Sequence, residues 1–304
     1  MDTEKYLEQI LKGQELDPEQ EKALKSAWDG VEELLTAAFV DCNPTIRYAG
    51  SKIKGTMNKV SFDLDIACYF PKDDTSAGET LEDIYNNVKN FLAESYVVDP
   101  KTSAIRIKSK DVDTYAVDFH IDVVPGRFVD DSKTDVFLYQ FMGEKQRLKT
   151  NLDTHIQHIK ESGLVPTIRL AKIWKEKFGL PVKTFVLELL VVKYAKRSDD
   201  EPLTVGIKSF WEKLRDSDAL SIEDPANPDG NDISNLLDTT ARQMLRDYAA
   251  RALESIEKED WKEIFGEPEE LTDEEKKKAL FSVAASISNA PRPYAYEDED
   301  VVSK

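Results

Sequence analysis

The sequence predicts an α+β fold, a small mixed sheet with helices followed by a C-terminal helical domain. Three observations carry that expectation. First, Leu24, Trp28, Val31, Leu35 and Phe39 recur every three or four residues, which makes one apolar helical stripe near the start of the chain. Second, the pattern after Asn43-Pro44 turns to short runs rich in β-branched and aromatic residues: TIRYA, DLDIACYF, SAIRIKSK and YAVDFHIDVV. Third, helical spacing returns beyond about Asn151, with Leu164, Ile168, Ala171, Trp174 and Phe178 on one face.

Each element has a local reason. The first forty residues read as helix, with Asp17 as N-cap, Pro18 at the first helical position and Gln20 three residues after the cap. A helical stretch from about Glu79 to Glu94 separates the strands, and Phe185–Ala195 and Ile233–Ile256 extend the helical half. The domains are expected at 1–150, 151–290 and 291–304, the last a mobile acidic tail rich in proline and Asp/Glu.

Composition narrows the function. A chain of 304 residues with 40% apolar content can build one large or two medium cores. The start, MDTEKYLEQI, is acidic and lacks an apolar segment, and the run FVLELLVV is too short to span a bilayer and contains Glu188. A cytoplasmic protein without membrane association is expected. Cys42 and Cys68 fit neither a disulfide framework nor a zinc spacing and read as buried thiols. The net charge of −18 argues against broad nucleic-acid binding, which requires a large basic surface.

The chemistry centres on GSKIKGTMNKVSFDLDIACYF, residues 50–70. Side chains alternate along a strand, so Asp63 and Asp65 share one face while Leu64 and Ile66 enter the core. Two like charges at one spot repel, and Mg²⁺ is commonly held by one or two carboxylates together with substrate phosphate oxygens. Such a pair on an acidic protein is ordinarily a solvated face, and the second pair, Asp111 and Asp113, reads that way as part of a hairpin connection. The first pair differs in its context. Gly50 and Ser51 end a strand, eleven residues lie between Ser51 and Asp63, and Lys52 and Lys54 add positive charge. A glycine turn lets backbone N–H groups approach a phosphate, with the Ser51 hydroxyl as a further donor.

The GS turn followed by this hydrophobic-Asp-hydrophobic-Asp strand resembles the signature of the polymerase-β-like nucleotidyltransferase superfamily. That resemblance implies a third carboxylate on a neighbouring strand. In DFHIDVVPG, Asp118, His120 and Asp122 share a face; Asp122 matches the family pattern best, with Asp118 in reserve. His120 is read as structural, since the hard Mg²⁺ ion prefers oxygen.

Four downstream stretches refine the resemblance. RLAKIWK resembles the R-x-x-K-x-W helix of poly(A)-polymerase-like and 2′-5′-oligoadenylate-synthetase-like enzymes, which implies Lys172 as a triphosphate ligand and Trp174 as core. VKTFVLELLVVKYA resembles the next helix, with Thr184 in the place of the usual serine, and a helix start with a hydroxyl suits an anion. Glu188 is read as a polar-network residue, and Tyr194 as either a base-stacking or a packing side chain. IEDPANPDGND resembles a shaped turn built from Asp224, Pro225 and Pro228, with Asn231 or Asp232 as the cap of the next helix, and DWKEIFGE resembles a short terminal motif.

Together these motifs look like a cGAS/DncV-like nucleotidyltransferase, a CD-NTase. The resemblance implies a polymerase-β-like core in residues 1–150 and a helical domain closing the nucleotide pocket. It implies an enzyme of bacterial antiphage signalling, making a cyclic di- or trinucleotide from NTPs, most often ATP. Two Mg²⁺ ions, or Mn²⁺, on Asp63, Asp65 and Asp122 are implied, with Gly50, Ser51, Lys172 and Thr184 on the nucleotide. A regulatory partner such as a HORMA-domain protein is compatible with it. The chain has no zinc insertion like that of the animal DNA sensors and ends in VVSK, so neither activation by double-stranded DNA nor C-terminal conjugation is expected. A linear 2′-5′ oligoadenylate synthetase, an RNA-tailing enzyme and a catalytically silent partner-binding module are the alternatives.

Overall fold

The structure, a computed structural model, describes residues 2–110, 119–141, 146–217, 219–227 and 233–269. The Asp111/Asp113 pair, Asp118, Pro228, Asn231, Asp232 and the tail 291–304 lie outside the described residues.

Helix formation at the start of the chain divides in two, Thr3–Gly13 (α1) and Pro18–Ala38 (α2). The break falls where Asp17 caps α2: its side chain accepts from Gln20 N at 2.8 Å while Gln20 Oε1 accepts from Asp17 N, a reciprocal capping box. The two helices serve different cores. Leu24, Trp28, Val31, Leu35 and Phe39 of the α2 stripe are buried against the sheet, whereas Tyr6, Leu7 and Ile10 of α1 pack into the helical half.

Among the described residues the sheet has seven strands: Thr45–Tyr48 (β1), Leu64–Phe70 (β2), Tyr96–Pro100 (β3), Ile105–Ser109 (β4), Ile121–Phe128 (β5), Val136–Tyr139 (β6) and Arg147–Thr150 (β7). The order is β1-β2-β5-β4-β3, with β6 and β7 continuing from the far end of β5. Strands β2 and β5 run parallel and the other described pairs antiparallel, so the sheet is mixed, as the sequence predicts. A one-turn helix, Gly50–Lys54 (α3), follows β1, and Leu81–Ser95 (α4) carries the chain from β2 to β3, starting at a Thr80–Asp83 capping box. Strands β3, β6 and β7 are only four or five residues long and do not stand out in the sequence, and β7, RLKT, is polar as well.

The helical half comprises Leu152–Lys160 (α5), Val165–Lys177 (α6), Thr184–Tyr194 (α7), Leu203–Asp216 (α8), Thr239–Glu257 (α9) and Trp261–Phe265 (α10). Helix α7 is apolar nearly all round, and Val186, Leu187, Leu189, Leu190 and Val191 are buried on its several sides. Trp174 of α6 and Trp211 of α8 meet at its centre, their rings 5.8 Å apart. The short α10 closes this core: Trp261, Ile264 and Phe265 are buried, and Tyr6 of α1 donates its hydroxyl to Gly266 O at 2.6 Å. Cys42 and Cys68 are both free thiols and both buried. Among the described residues no helix is long and apolar enough to cross a membrane.

Arg169, from the RLAKIWK stretch, fastens the two halves rather than facing open solvent. Its Nε donates to Asn58 Oδ1 at 3.0 Å and its Nη2 to Leu11 O at 2.9 Å, while Asn58 Nδ2 donates back to Arg169 O. Asn58 is only 1% exposed, so its amide depends on these partners. Replacing Arg169 by Met keeps the stem and removes the donors; a loss of about 1–3 kcal/mol in urea unfolding is expected. An unchanged midpoint would show that the strap carries no stability.

Candidate active site

The parallel pairing of β2 with β5 sets the site, because its register places Asp65 directly opposite Asp122. Alternation keeps Leu64 and Ile66, both fully buried, on the other face and turns the acids to one side. Asp63 stands one residue before β2, where its Oδ1 accepts from His120 N at 3.3 Å. All three sequence-predicted carboxylates therefore gather at the start of two neighbouring strands.

The GS turn proves to be the first turn of α3, and it lies against Asp65. Gly50 has φ +59, and a Cβ there would stand 1.6 Å from Asp65 Oδ2 and 2.4 Å from Asp65 Cγ. Only glycine lets the backbone approach the carboxylate this closely. The contact is reinforced by Ala49 N, which donates to Asp65 O at 2.9 Å. Ser51 comes next, half-buried on the same short helix.

Burial pushes the Asp65 carboxyl up to about 6, and Asp122, Asp63 and Glu188 add to the rise while Lys54 opposes it. The folded chain binds this proton more tightly than the unfolded chain, whose value is near 3.8, so ionisation costs stability as pH rises between those values.

Behind the carboxylates lies a second charged group, centred on Glu188 of α7, which is 1% exposed. Its Oε1 accepts from Thr56 Oγ1 at 2.6 Å, its Oε2 pairs with Lys54 of α3, and Lys172 of α6 lies 3.9 Å away. Lys172 also donates to Thr56 O at 2.7 Å, and burial pulls its ammonium down to about 8 against the pull of Glu188. One carboxylate thus holds two lysines between the sheet and the helical half. The Lys54 ammonium lies 5.8 Å from the centre of the Phe185 ring, which brings the start of α7, and Thr184 with it, beside α3.

Other sequence-predicted residues are placed elsewhere. Lys52 is exposed and shares a cleft with Glu15, Glu21 and Arg169. Lys175 pairs with its neighbour Glu176, and Lys183 is exposed at the N-cap of α7. Tyr194 holds Ser221, donating to its carbonyl and accepting from its N–H at 3.1 Å each, with Lys193 and Lys213 over its ring; it fastens the end of α7. Asp224 is buried and meets His155 Nε2 at 3.3 Å, a contact that the sequence does not announce because the two residues are 69 positions apart.

Arg106 is the residue at the site that sequence reasoning missed. It lies opposite Asp122 across the β4–β5 pair and grips it with both arms, Nε to Oδ1 and Nη2 to Oδ2, each at 2.8 Å. Alternation in AIRIKS placed Arg106 on a polar face, but the pairing that turns this face to Asp122 is a tertiary fact.

An all-oxygen donor set under mutual repulsion is what a hard divalent cation suits, so the carboxylates fit Mg²⁺ by their chemistry. They are not drawn into a ready cage: among the described residues no group of three His, Cys, Asp or Glu side chains is clustered to hold a metal ion.

Comparison of the sequence with protein-family models and with curated proteins finds no match. Comparison of the fold with solved structures does. Escherichia coli CdnC, in its complex with HORMA-deltaN, is similar at 17% identity over 86% of this chain and 96% of that one, with a TM-score of 0.65. Bradyrhizobium diazoefficiens CdnG, a CD-NTase in complex with GTP, is similar at 11% identity over 86% of this chain and 94% of that one, TM-score 0.68. Vibrio cholerae DncV, a cyclic AMP-GMP synthase in complex with a linear intermediate, is similar at 16% identity over 90% and 87%, TM-score 0.60. The chain has the cGAS/DncV-like nucleotidyltransferase fold.

The charges make two outcomes testable. Glu188→Gln leaves Lys54 and Lys172 buried without their counter-charge, and a loss of about 3–5 kcal/mol in chemical denaturation is expected, beyond what one hydrogen bond would cost. In EDTA, Asp65→Asn should raise stability above pH 6 by roughly 1–3 kcal/mol and flatten the decline between about pH 4 and 6. Thermal melts across that range check it; a variant no more stable than the natural chain at pH 7 would refute the cost of burying the Asp65 charge beside its neighbours.

Proposed function

We propose that this chain is a metal-dependent nucleotidyltransferase that makes a cyclic di- or trinucleotide second messenger from NTPs, ATP among them, in bacterial antiphage defence. The observation that carries the reading is the register of Asp65 with Asp122, with Asp63 beside them and the Gly50 backbone packed on Asp65. The likeness to CdnG with GTP and to the DncV synthase supports it.

Asp63, Asp65 and Asp122 would hold two Mg²⁺ ions, whose chemistry is to acidify the attacking ribose hydroxyl and to neutralise charge on the departing pyrophosphate. The chain's own groups do the rest. Backbone N–H groups at Gly50 and Ser51, with the Ser51 hydroxyl, orient the triphosphate oxygens. Lys172 gives one of its three N–H donors to Thr56 O and keeps others for phosphate. Glu188 fixes Lys54 and Lys172 so that neither has to be ordered when substrate arrives. Thr184, at the first turn of α7, adds a hydroxyl where N–H groups are unsatisfied. Each transfer joins the ribose hydroxyl of one nucleotide to the α-phosphorus of another with loss of pyrophosphate, and in the last the linear product's own free hydroxyl attacks the α-phosphorus of its 5′-triphosphate, which closes the ring and releases a further pyrophosphate. A regulatory HORMA-domain partner belongs to the same proposal, since CdnC is seen with HORMA-deltaN.

The test is incubation with the four NTPs and Mg²⁺ or Mn²⁺, then phosphatase, then chromatography with mass detection. A phosphatase-resistant product that disappears in the Asp63→Ala/Asp65→Ala double variant is expected. A phosphatase-sensitive oligomer would replace this reading with a linear synthetase, and absence of product with and without a HORMA partner would favour a silent module.

A further inference from the structure

Asp122 belongs to a charged row that crosses the sheet. Asp65 on β2 lies opposite Asp122 on β5, Asp122 lies opposite Arg106 on β4, and Arg106 lies opposite Asp99 on β3. The four residues share one face because Ile105 and Ile107, fully buried, commit the other face of β4 to the core. The row therefore reads acid, acid, base, acid across four adjacent strands.

Within it the guanidinium has two carboxylates to choose between. It now engages Asp122, using both oxygens in a planar fork at 2.8 Å. That side chain is 16% exposed, and Arg106 is 27% exposed, so the pair is only partly screened by water. Asp99, on the other side, is 60% exposed and pairs with Lys101, a partner two residues away that leaves carboxylate lone pairs to spare. The fork offsets part of the charge of Asp122 and takes two of its lone-pair sites, so a metal ion would have to compete with the guanidinium for those oxygens.

We infer that Arg106 is a latch on Asp122: the guanidinium holds this carboxylate out of the metal-ligating set, and passes to Asp99 when a divalent cation claims Asp122. The inference rests on the reading that these carboxylates hold a divalent metal. Arg106 acts through Asp122 and is a positioning residue.

The latch makes a prediction opposite in sign to that for a strut. If Arg106 merely oriented Asp122 for ligation, its loss would weaken metal binding; as a competitor for the same oxygens, its loss strengthens it. Mn²⁺ binding to the full chain without nucleotide, followed by electron paramagnetic resonance, reads the difference directly. Arg106→Met keeps the aliphatic stem and should bind Mn²⁺ about tenfold more tightly than the natural chain, the size expected from removing one charge-assisted pair. Equal or weaker binding overturns the latch. Should Arg106→Met fail to fold, Asp99→Asn decides: this exposed change removes the receiving carboxylate and should weaken Mn²⁺ binding several-fold, whereas unchanged binding overturns the transfer. If neither the natural chain nor a folded Arg106→Met binds Mn²⁺, and Asp63→Asn/Asp65→Asn behaves alike, the metal reading itself falls. If the natural chain binds and Arg106→Met binds no better, only the latch falls.

Discussion

Two carboxylates held side by side on parallel strands repel, and the surrounding chain is arranged to tolerate that repulsion. The β2–β5 register leaves Asp65 and Asp122 no freedom to separate, because sliding β2 by one residue would turn Leu64 and Ile66 out of the core, and sliding β5 would turn out Ile121 and Val123. The repulsion is therefore fixed by hydrophobic packing on the opposite face. It is met on two sides: Arg106 neutralises Asp122 from β4, and Lys54 acts on Asp65 from α3. Gly50 is the third requirement, since any side chain there would occupy the position of the Asp65 carboxylate.

The same economy of charge operates at the junction of the two halves. Glu188 is buried in a largely apolar helix, a costly position unless paired. It is paired with Lys54 from the sheet half and Lys172 from the helical half, and Thr56 completes its hydrogen bonds. Arg169 adds a second tie at the junction, its guanidinium donating to neutral acceptors, the Asn58 amide and Leu11 O near the end of α1. Because α1 packs with the helical half and α2 with the sheet, the start of the chain also spans the two cores. Nucleotide phosphates placed near Lys54 and Lys172 would enter a region whose positive groups are already ordered, which lowers the entropic cost of binding.

How much of this was legible depended on the range of the interaction. The Asp17 capping box, the α2 stripe and the alternation of Asp63 and Asp65 with Leu64 and Ile66 are local patterns, and each appears in the structure as read, although Ile66–Phe70 is buried on both faces. That Asp122 would stand on the strand beside Asp63 and Asp65 was legible because strand parity and a family resemblance together narrowed the choice of a third acid. Arg106 was not reachable: its strand alternates plainly, but nothing local says that β4 pairs with β5 rather than with β2. Glu188 was visible as a charge inside an apolar run, yet its hydrogen-bond partners Thr56 and Lys54 lie 132 and 134 residues away.

The sequence by itself determined the element types of the longer helices and strands and the face on which Asp63 and Asp65 would stand. These depend on periodicity and on the steric freedom of single residues, which operate over a few positions. Only the tertiary structure decided which charges meet: Asp122 with Arg106 and Asp65, Glu188 with Lys54 and Lys172, Asp224 with His155. Strand pairing and helix docking bring together residues far apart in the chain, and an ion pair has no sequence period by which its partners could be found.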